Sequence, residues 1–260
     1  MSRTTDRLSN NQQLIDLAKQ QYEQKKHKSL LPPIVVPLAS RGLVYAKDNP
    51  LREGFIELRV MTAYDEDILT NPTYLKRGIA LEKLLDALIL TPGIQIDDIH
   101  AFDQEVMLMS ARISAYGNEY PVITVDPKTA KQLDRKIELS SLKMKNFDLT
   151  ADDNGEFEYD ISDDVKIKFG FLTPNQVKKV NEEQYISTYL QQVIREVNGD
   201  RSTNRILDFI KYELLPKDSK QFRTYIIDNT PGLNYDVEVE GEDGSTFITR
   251  FQYGSDFFRV

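Results

Sequence analysis

The chain lacks cysteine and tryptophan, and it carries only two histidines and twelve glycines among 260 residues. Without thiols there is no disulfide framework, no cysteine nucleophile, no thiolate zinc centre and no iron–sulfur cluster, a composition at home in a reducing compartment. No run approaches the ~18 apolar residues of a membrane-spanning helix. The opening MSRTTDRLSNNQQ holds no apolar signal core, so the chain is expected in the cytoplasm. The sparse glycines form neither a Gly-x-x-x-x-Gly-Lys phosphate cradle nor a Gly-x-Gly-x-x-Gly fingerprint, and there is no Gly-x-Ser-x-Gly elbow to present a nucleophilic serine. His27 and His100 lie over 70 residues apart with no cysteine or repeated carboxylate at ligand spacing near either, which predicts solvent-facing or capping roles for both and no metal site.

What remains is enough for a folded protein. At this length a chain buries about 70–75% of its unfolded surface, so its core needs neither cross-link nor metal. The net charge of −8 is uneven: residues 1–30 hold six basic and three acidic side chains, leaving 27 basic against 38 acidic in the rest. That acidic remainder repels phosphate backbones and argues against nucleic acid as a main partner.

Three regions follow from the pattern: residues 1–29, 30–150 and 151–260. Asn11 to Lys28 is free of proline and glycine and sets Leu14, Ile15, Leu17, Ala18 and Tyr22 on a narrow stripe, which predicts a helix that either frays or orders on a partner. Leu30-Leu31-Pro32-Pro33-Ile34-Val35-Val36-Pro37-Leu38 cannot be helical and reads as an extended apolar strip, laid over the protein's own core or along another chain. Ser40-Arg41-Gly42 reads as a turn. Phe55 to Val60 alternates as a half-buried strand, and Thr62-Ala63-Tyr64-Asp65 has the spacing of a capping box, so a helix should run from Ala63 to about Asn71-Pro72. Leu81 to Ile89 and Val106 to Ile113 supply two more helices, the last stopped at Gly117, and Pro121–Val125 with Ile137–Leu139 suggest two paired strands.

Residues 148–164 contain eight acids and no base and read as a linker or solvated loop. Beyond it the plan recurs. Val165–Phe169 alternates as a strand, and Thr173-Pro174-Asn175-Gln176 forms a second capping box with proline at the first helical position. The helix it opens is predicted to carry Ile186 to Val197 and to end at Asn198-Gly199, and two further helices, over Ile206–Leu214 and Lys217–Asp228, should follow. Tyr235–Val239 and Thr246–Tyr253 pair through Asp243-Gly244, a strong hairpin signal. The expected fold is α+β: two pseudo-repeated units of strand, helices and β-hairpin, preceded by an N-terminal helix and the proline-rich strip.

Carboxylates are the one chemistry in supply. Asp65-Glu66-Asp67, Asp152-Asp153, Asp163-Asp164 and Glu240 to Asp243 raise the alternative of a metal-dependent hydrolase, which requires them to converge in one pocket. Their places at a helix start and in turns favour structural work, because acids there complement the helix dipole or stay hydrated. A small-ligand regulatory module would instead need a large apolar pocket within one unit. The aromatic cluster Phe247, Phe251, Tyr253, Phe257, Phe258 is flanked by acids, so it serves core or a protein interface rather than base stacking.

Four strings together, LASRGLVY at 38–45, IELRVMTAYDEDILTN at 56–71, SAYGNEYPVITVDP at 114–127 and FQYGSDFFRV at 251–260, resemble the baseplate hub and hub-assembly protein family of T4-like contractile-tailed bacteriophages. The resemblance covers most of residues 38–260 and marks no catalytic residue. It implies a non-enzymatic tail protein that helps build the baseplate hub, as component or as assembly chaperone. Such a protein would be made late in infection in the host cytoplasm, could persist in the virion tail, and would need no cofactor. Its partners would be other hub or tail proteins, or a second copy of itself. Leu31, Pro32, Ile34, Val35 and Val36 in the strip and Phe257 and Phe258 at the end are the expected docking anchors. Relatives resembling this chain carry Cys-x-x-Cys pairs where it has Asp126-Pro127-Lys128-Thr129 and Glu240-Gly241-Glu242-Asp243-Gly244. If the fold is kept, hairpin turns and packing must replace a shared zinc.

Overall fold

Strand β1 (Ile34–Pro37) pairs antiparallel with β2 (Phe55–Leu58), placing Val35 opposite Glu57 and Pro37 opposite Phe55. The computed structural model that shows this describes residues 30–254, 257 and 258, with positions 17, 19–21 and 24. Those five N-terminal positions are helical and exposed, and the remainder of the helix expected over 11–28 lies outside the described residues. The turn at Ser40-Arg41-Gly42 needs its glycine twice over. Gly42 has a φ of +79°, and a Cβ there would meet the Arg52 carbonyl oxygen at 2.4 Å.

Helix α1 (Ala63–Thr70) begins at the Thr62 capping box, in which the Asp65 carboxylate takes the Thr62 N–H at 2.8 Å. Asn71 ends it and caps α2 (Pro72–Arg77) by accepting from the Thr73 and Tyr74 N–H groups. Helix α3 (Ala80–Leu88) buries Leu84, Leu85 and Leu88. Ile89 then bridges Leu58, so the chain returns along the edge of β2 away from β1. Helix α4 (Ala101–Tyr116) stops at Gly117 and leads into the hairpin of β3 (Glu119–Val125) and β4 (Gln132–Glu138).

The second unit repeats these steps. Strand β5 (Phe157–Ser162) pairs with β6 (Val165–Phe169), and the Thr173–Gln176 capping box opens α5 (Pro174–Val177). Helix α6 (Tyr185–Val193) follows, then β7 (Ile194–Val197), α7 (Thr203–Asp208), which runs into a π-helical turn at Phe209–Glu213, and α8 (Pro216–Asp228). The hairpin of β8 (Asp236–Glu240) and β9 (Thr246–Arg250) closes the unit. Ile194 pairs with Phe169 just as Ile89 bridges Leu58, each residue coming directly after a nine-residue helix. The fold is mixed α+β, built from small antiparallel sheets and short helices.

Two expectations are corrected. The acidic stretch 148–164 is no free loop: Phe157–Ser162 is strand β5, and Gly155 packs so closely that a Cβ would lie 2.6 Å from the Val44 carbonyl. Hydrated acids alternate there with Phe157 and Tyr159, and alternation, not net charge, decides the strand. The single helix predicted from the Thr173 box through Val197 is two: α5 ends at Val177, and α6 begins at Tyr185 and ends at Val193, because Ile194 and Val197 bury themselves by pairing with β6. Residues of both units join one apolar cluster. Phe157 sits within it, its ring 5.7, 5.6 and 5.5 Å from those of Phe147, Phe169 and Phe171.

Candidate docking surface and the polar junction

Alternation along β1 sorts the strip. Val36 is fully buried beneath the sheet, while Val35 is 57% exposed and Ile34 half-buried. Leu31 and Pro32, ahead of the strand, are exposed. Because cross-strand partners share a face, Val35, Pro37 and Phe55 lie together on the outward face of the β1–β2 pair, an apolar patch with Glu57 at its edge opposite Val35. Phe55 is 43% exposed. Pro33 and Pro37 lack N–H donors, which blunts this strand as a template for further pairing and leaves side chains to make any contact.

The expected C-terminal anchors are elsewhere. Phe257 and Phe258 are buried in the chain itself. The Phe257 ring lies 4.7 Å from Tyr253 and 5.2 Å from Tyr120, and the Arg112 Nε–H donates to the Phe257 carbonyl at 2.9 Å. Phe258 stands edge-on to Tyr116. An aromatic tail with a cleft of its own rings within reach is desolvated there, so Phe257, Phe258 and Val36 act as core in this structure, and Leu31, Pro32, Ile34 and Val35 keep the outer position.

The two hairpin turns, where relatives were expected to share zinc, face one another. Lys128 Nζ meets Asp243 at 2.9 Å and Ser245 Oγ at 2.8 Å, and Lys131 pairs with Glu242 at 3.0 Å. Asp126 accepts from the Lys128 and Thr129 N–H groups within its own turn and from the Glu242 N–H of the other at 3.2 Å. Hydrogen bonds to Ser245 and Lys128 hold the Asp243 carboxyl far below its ordinary range. Charge pairs and an aspartate-bound turn thus tie the hairpins together.

Within the first unit, and reaching the second through the Leu172 carbonyl, lies a buried polar cluster that periodicity could not reveal. Asp103, in the first turn of α4, accepts from Ser40 N at 2.9 Å, Ser40 Oγ at 2.8 Å and Tyr45 Oη at 2.8 Å. Burial pushes its carboxyl up against the pull of these donors. Ser40 and Tyr45 belong to the LASRGLVY string, so that string's polar positions serve this junction. His100 stands at the N-cap position of α4, as a capping role would require, but its side chain makes no capping bond and is buried rather than solvent-facing. Its ring stacks on Phe102 at 5.1 Å and its Nδ1 lies 3.2 Å from the Leu172 carbonyl oxygen. A carbonyl only accepts, so Nδ1 carries the proton, and burial lowers the ring to about 4, leaving it neutral at pH 7. His27 lies outside the described residues.

The acids do not converge. Asp65 holds Arg59, Asp97 holds Lys178, and Asp152 holds Lys168 and the Asn154 and Glu156 N–H groups. Among the described residues, no three histidines or acids group so as to hold a metal ion. The arrangement offers surfaces and charge locks. The family model described as "T4 bacteriophage base plate protein" matches residues 50–259. The chain belongs to that family. No curated protein and no solved structure matches it. Membership in a baseplate family places the protein in the phage tail, and the apolar strip at 30–38 lies ahead of the matched region. Among the described residues no helix is long and apolar enough to cross a membrane.

Proposed function

We propose that this baseplate protein acts without catalysis, in assembly of the baseplate hub, by burying apolar side chains against other hub or tail proteins. The observation that carries the reading is the outward patch of Val35, Pro37 and Phe55 on the β1–β2 pair, whose inward Val36, Ile56 and Leu58 already belong to the core. Leu31 and Pro32 extend it along the chain, with Ile34 at its margin. Units 30–150 and 151–260 form the two halves of the scaffold that presents it, and residues 1–29 precede the patch. An acidic body suits a protein that works beside DNA without binding it. In this reading the protein is made late, works in the host cytoplasm as an assembly chaperone, and reaches the virion tail with the hub.

The experiment is capture of tail proteins from infected-cell lysate on the purified chain, native beside Val35→Asp with Phe55→Asp, with mass spectrometry of purified tails. Hub proteins held by the native chain and lost by the variant support the reading. Equal capture by both, with the variant folded, would overturn it.

A further inference from the structure

We infer that a polar cavity of about 270 Å³ between the two units is a binding site for a single carboxylate, with Arg195 as its receptor. Its walls come from both units: Asn49 and His100 from the first, and Asn154, Gly170, Gln176 and Arg195 from the second. Arg195, on β7, is half-buried, and burial lowers its guanidinium below the ordinary value. Every other arginine that lines up with an acid here is matched to one: Arg59 to Asp65, Arg201 to Glu156 and Glu196, Arg205 to Glu213. Arg195 makes no hydrogen bond or ion pair to any described residue. Glu156, the acid whose charge it feels, has both oxygens bound by Arg201, at 3.2 and 2.6 Å. A partly desolvated fork of donors with no acceptor among the described residues is a cost that a ligand would relieve.

The backbone makes room for that fork. Gly170 has no left-handed φ that would require glycine, yet a Cβ there would come within 3.2 Å of Arg195 Nε and 3.5 Å of Nη2. The missing side chain is the space that the guanidinium occupies. Around it stand donors without acceptors: the Asn49 and Gln176 amides spend their oxygens on the Leu51 and Thr173 N–H groups, leaving their NH2 groups free to donate. His100, held through Nδ1 at the Leu172 carbonyl, lines the same cavity and adds no charge to it at pH 7. The ligand's charge follows from the count. Among the described residues Arg195 is the one cation of the lining, Glu156 is already paired with Arg201 and Asp98 is bound only by the neutral Asn175 amide, so the site tolerates a single ligand charge held directly on the guanidinium, and a phosphate dianion would be opposed by both acids. The volume fits one short acidic side chain or a free small carboxylate.

The test titrates the full chain with acetate, with N-acetyl-glutamate amide and with inorganic phosphate, following the backbone N–H resonances of Asn154 and residue 170, which every variant keeps, beside the Arg195 Nε–H resonance where arginine is present. Saturable shifts with either carboxylate, at least tenfold weaker in Arg195→Gln and several-fold weaker in Gly170→Ala, support the site. Tighter binding of the glutamate derivative assigns it to a polypeptide's acidic side chain, and tighter acetate binding to a free anion. No saturation, saturation by phosphate alone, or shifts unchanged in Arg195→Gln would overturn it. Thermal melting guards against misfolding. An unpaired guanidinium predicts that Arg195→Gln melts no lower than the native chain, whereas a merely structural arginine predicts a lower melting point and defeats the proposal.

Discussion

In the first unit the capping box at Thr62 is closed by Asp65, which also grips Arg59 through two bonds of 2.7 and 2.5 Å; in the second, the box at Thr173 is closed by neutral Gln176 at 3.0 Å. The helix after the first box runs eight residues, Ala63–Thr70, and the helix after the second only four, Pro174–Val177. A cap therefore starts a helix without setting its length. Ile68 and Leu69 pack on the core and carry α1 onward, while Val177 is 55% exposed and is followed by Lys178 and Lys179, which have nothing to bury. The same local signal yields different elements because the downstream side chains differ.

Between the two capping boxes, the larger expected effect breaks the charged lock. Burial alone would raise the Asp65 carboxyl, but the Arg59 guanidinium and the Thr62 N–H outweigh it and hold it below its ordinary value. Asp65→Ala removes a cap and strands a part-buried guanidinium, and should cost about 3–5 kcal/mol in urea unfolding. Gln176→Ala, which removes only half of a neutral box, should cost about 0.5–1 kcal/mol. Equal losses would show that the two boxes are energetically alike.

Acid should weaken the junction between the units next. His100 is neutral when folded, titrating at about 4, against 6.5 when unfolded. Above 6.5 neither state binds the proton and nothing is lost. As the pH falls from 6.5 to 4 only the unfolded chain is protonated, so stability declines by up to about 3 kcal/mol and then levels. Among the groups packed round the ring, Asp103 works in the opposite sense, since its raised carboxyl favours the folded state as the pH falls; Tyr45 does not titrate in this window, and Arg195 keeps its charge throughout. Comparing pH–stability curves of the native chain and His100→Phe isolates the histidine. Parallel curves would place the acid sensitivity elsewhere.

Much of this architecture was legible in the residues. Both capping boxes, the Asp243-Gly244 hairpin and the alternation of β2 and β6 rest on local rules, and local rules survive folding. What failed was long-range. Ile194–Val197 reads as the end of a helix until β6 offers it a ladder, and the acids of 148–164 read as solvated until Phe157 finds Phe147 and Phe171. Phe257 and Phe258 looked like anchors because Arg112, Tyr120 and Tyr116, which receive them, are distant in sequence. The junction of Ser40, Tyr45, His100 and Asp103 has no periodic signature. Its only trace was the unexplained polar residues of one string.

A smaller effect separates the paired turns from the cores they join. Lys128→Ala with Lys131→Ala removes cations that are 62% and 65% exposed. The urea midpoint should fall slightly at low salt, and the difference should vanish near ~1 M sodium chloride, where charges are screened beyond about 3 Å. A loss that persists in high salt would mean that the turns are held by something other than charge.

The smallest effect on stability should accompany the largest on assembly. Val35 and Val36 are neighbours on one strand with opposite surroundings, the first 57% exposed and the second fully buried. Val36→Asp places a carboxylate in the core, and the chain should not fold at all. Val35→Asp places the same carboxylate in water opposite Glu57, and urea unfolding should change by no more than about 1 kcal/mol. Only a partner that buries Val35 can feel the second change, because desolvating a new carboxylate against an apolar surface costs affinity that the free protein never loses. Capture of tail proteins that drops for Val35→Asp while the urea midpoint stays put would locate the contact on the outward face of β1. Capture that stays at the native level would remove Val35 from the interface, whatever becomes of Leu31 and Pro32.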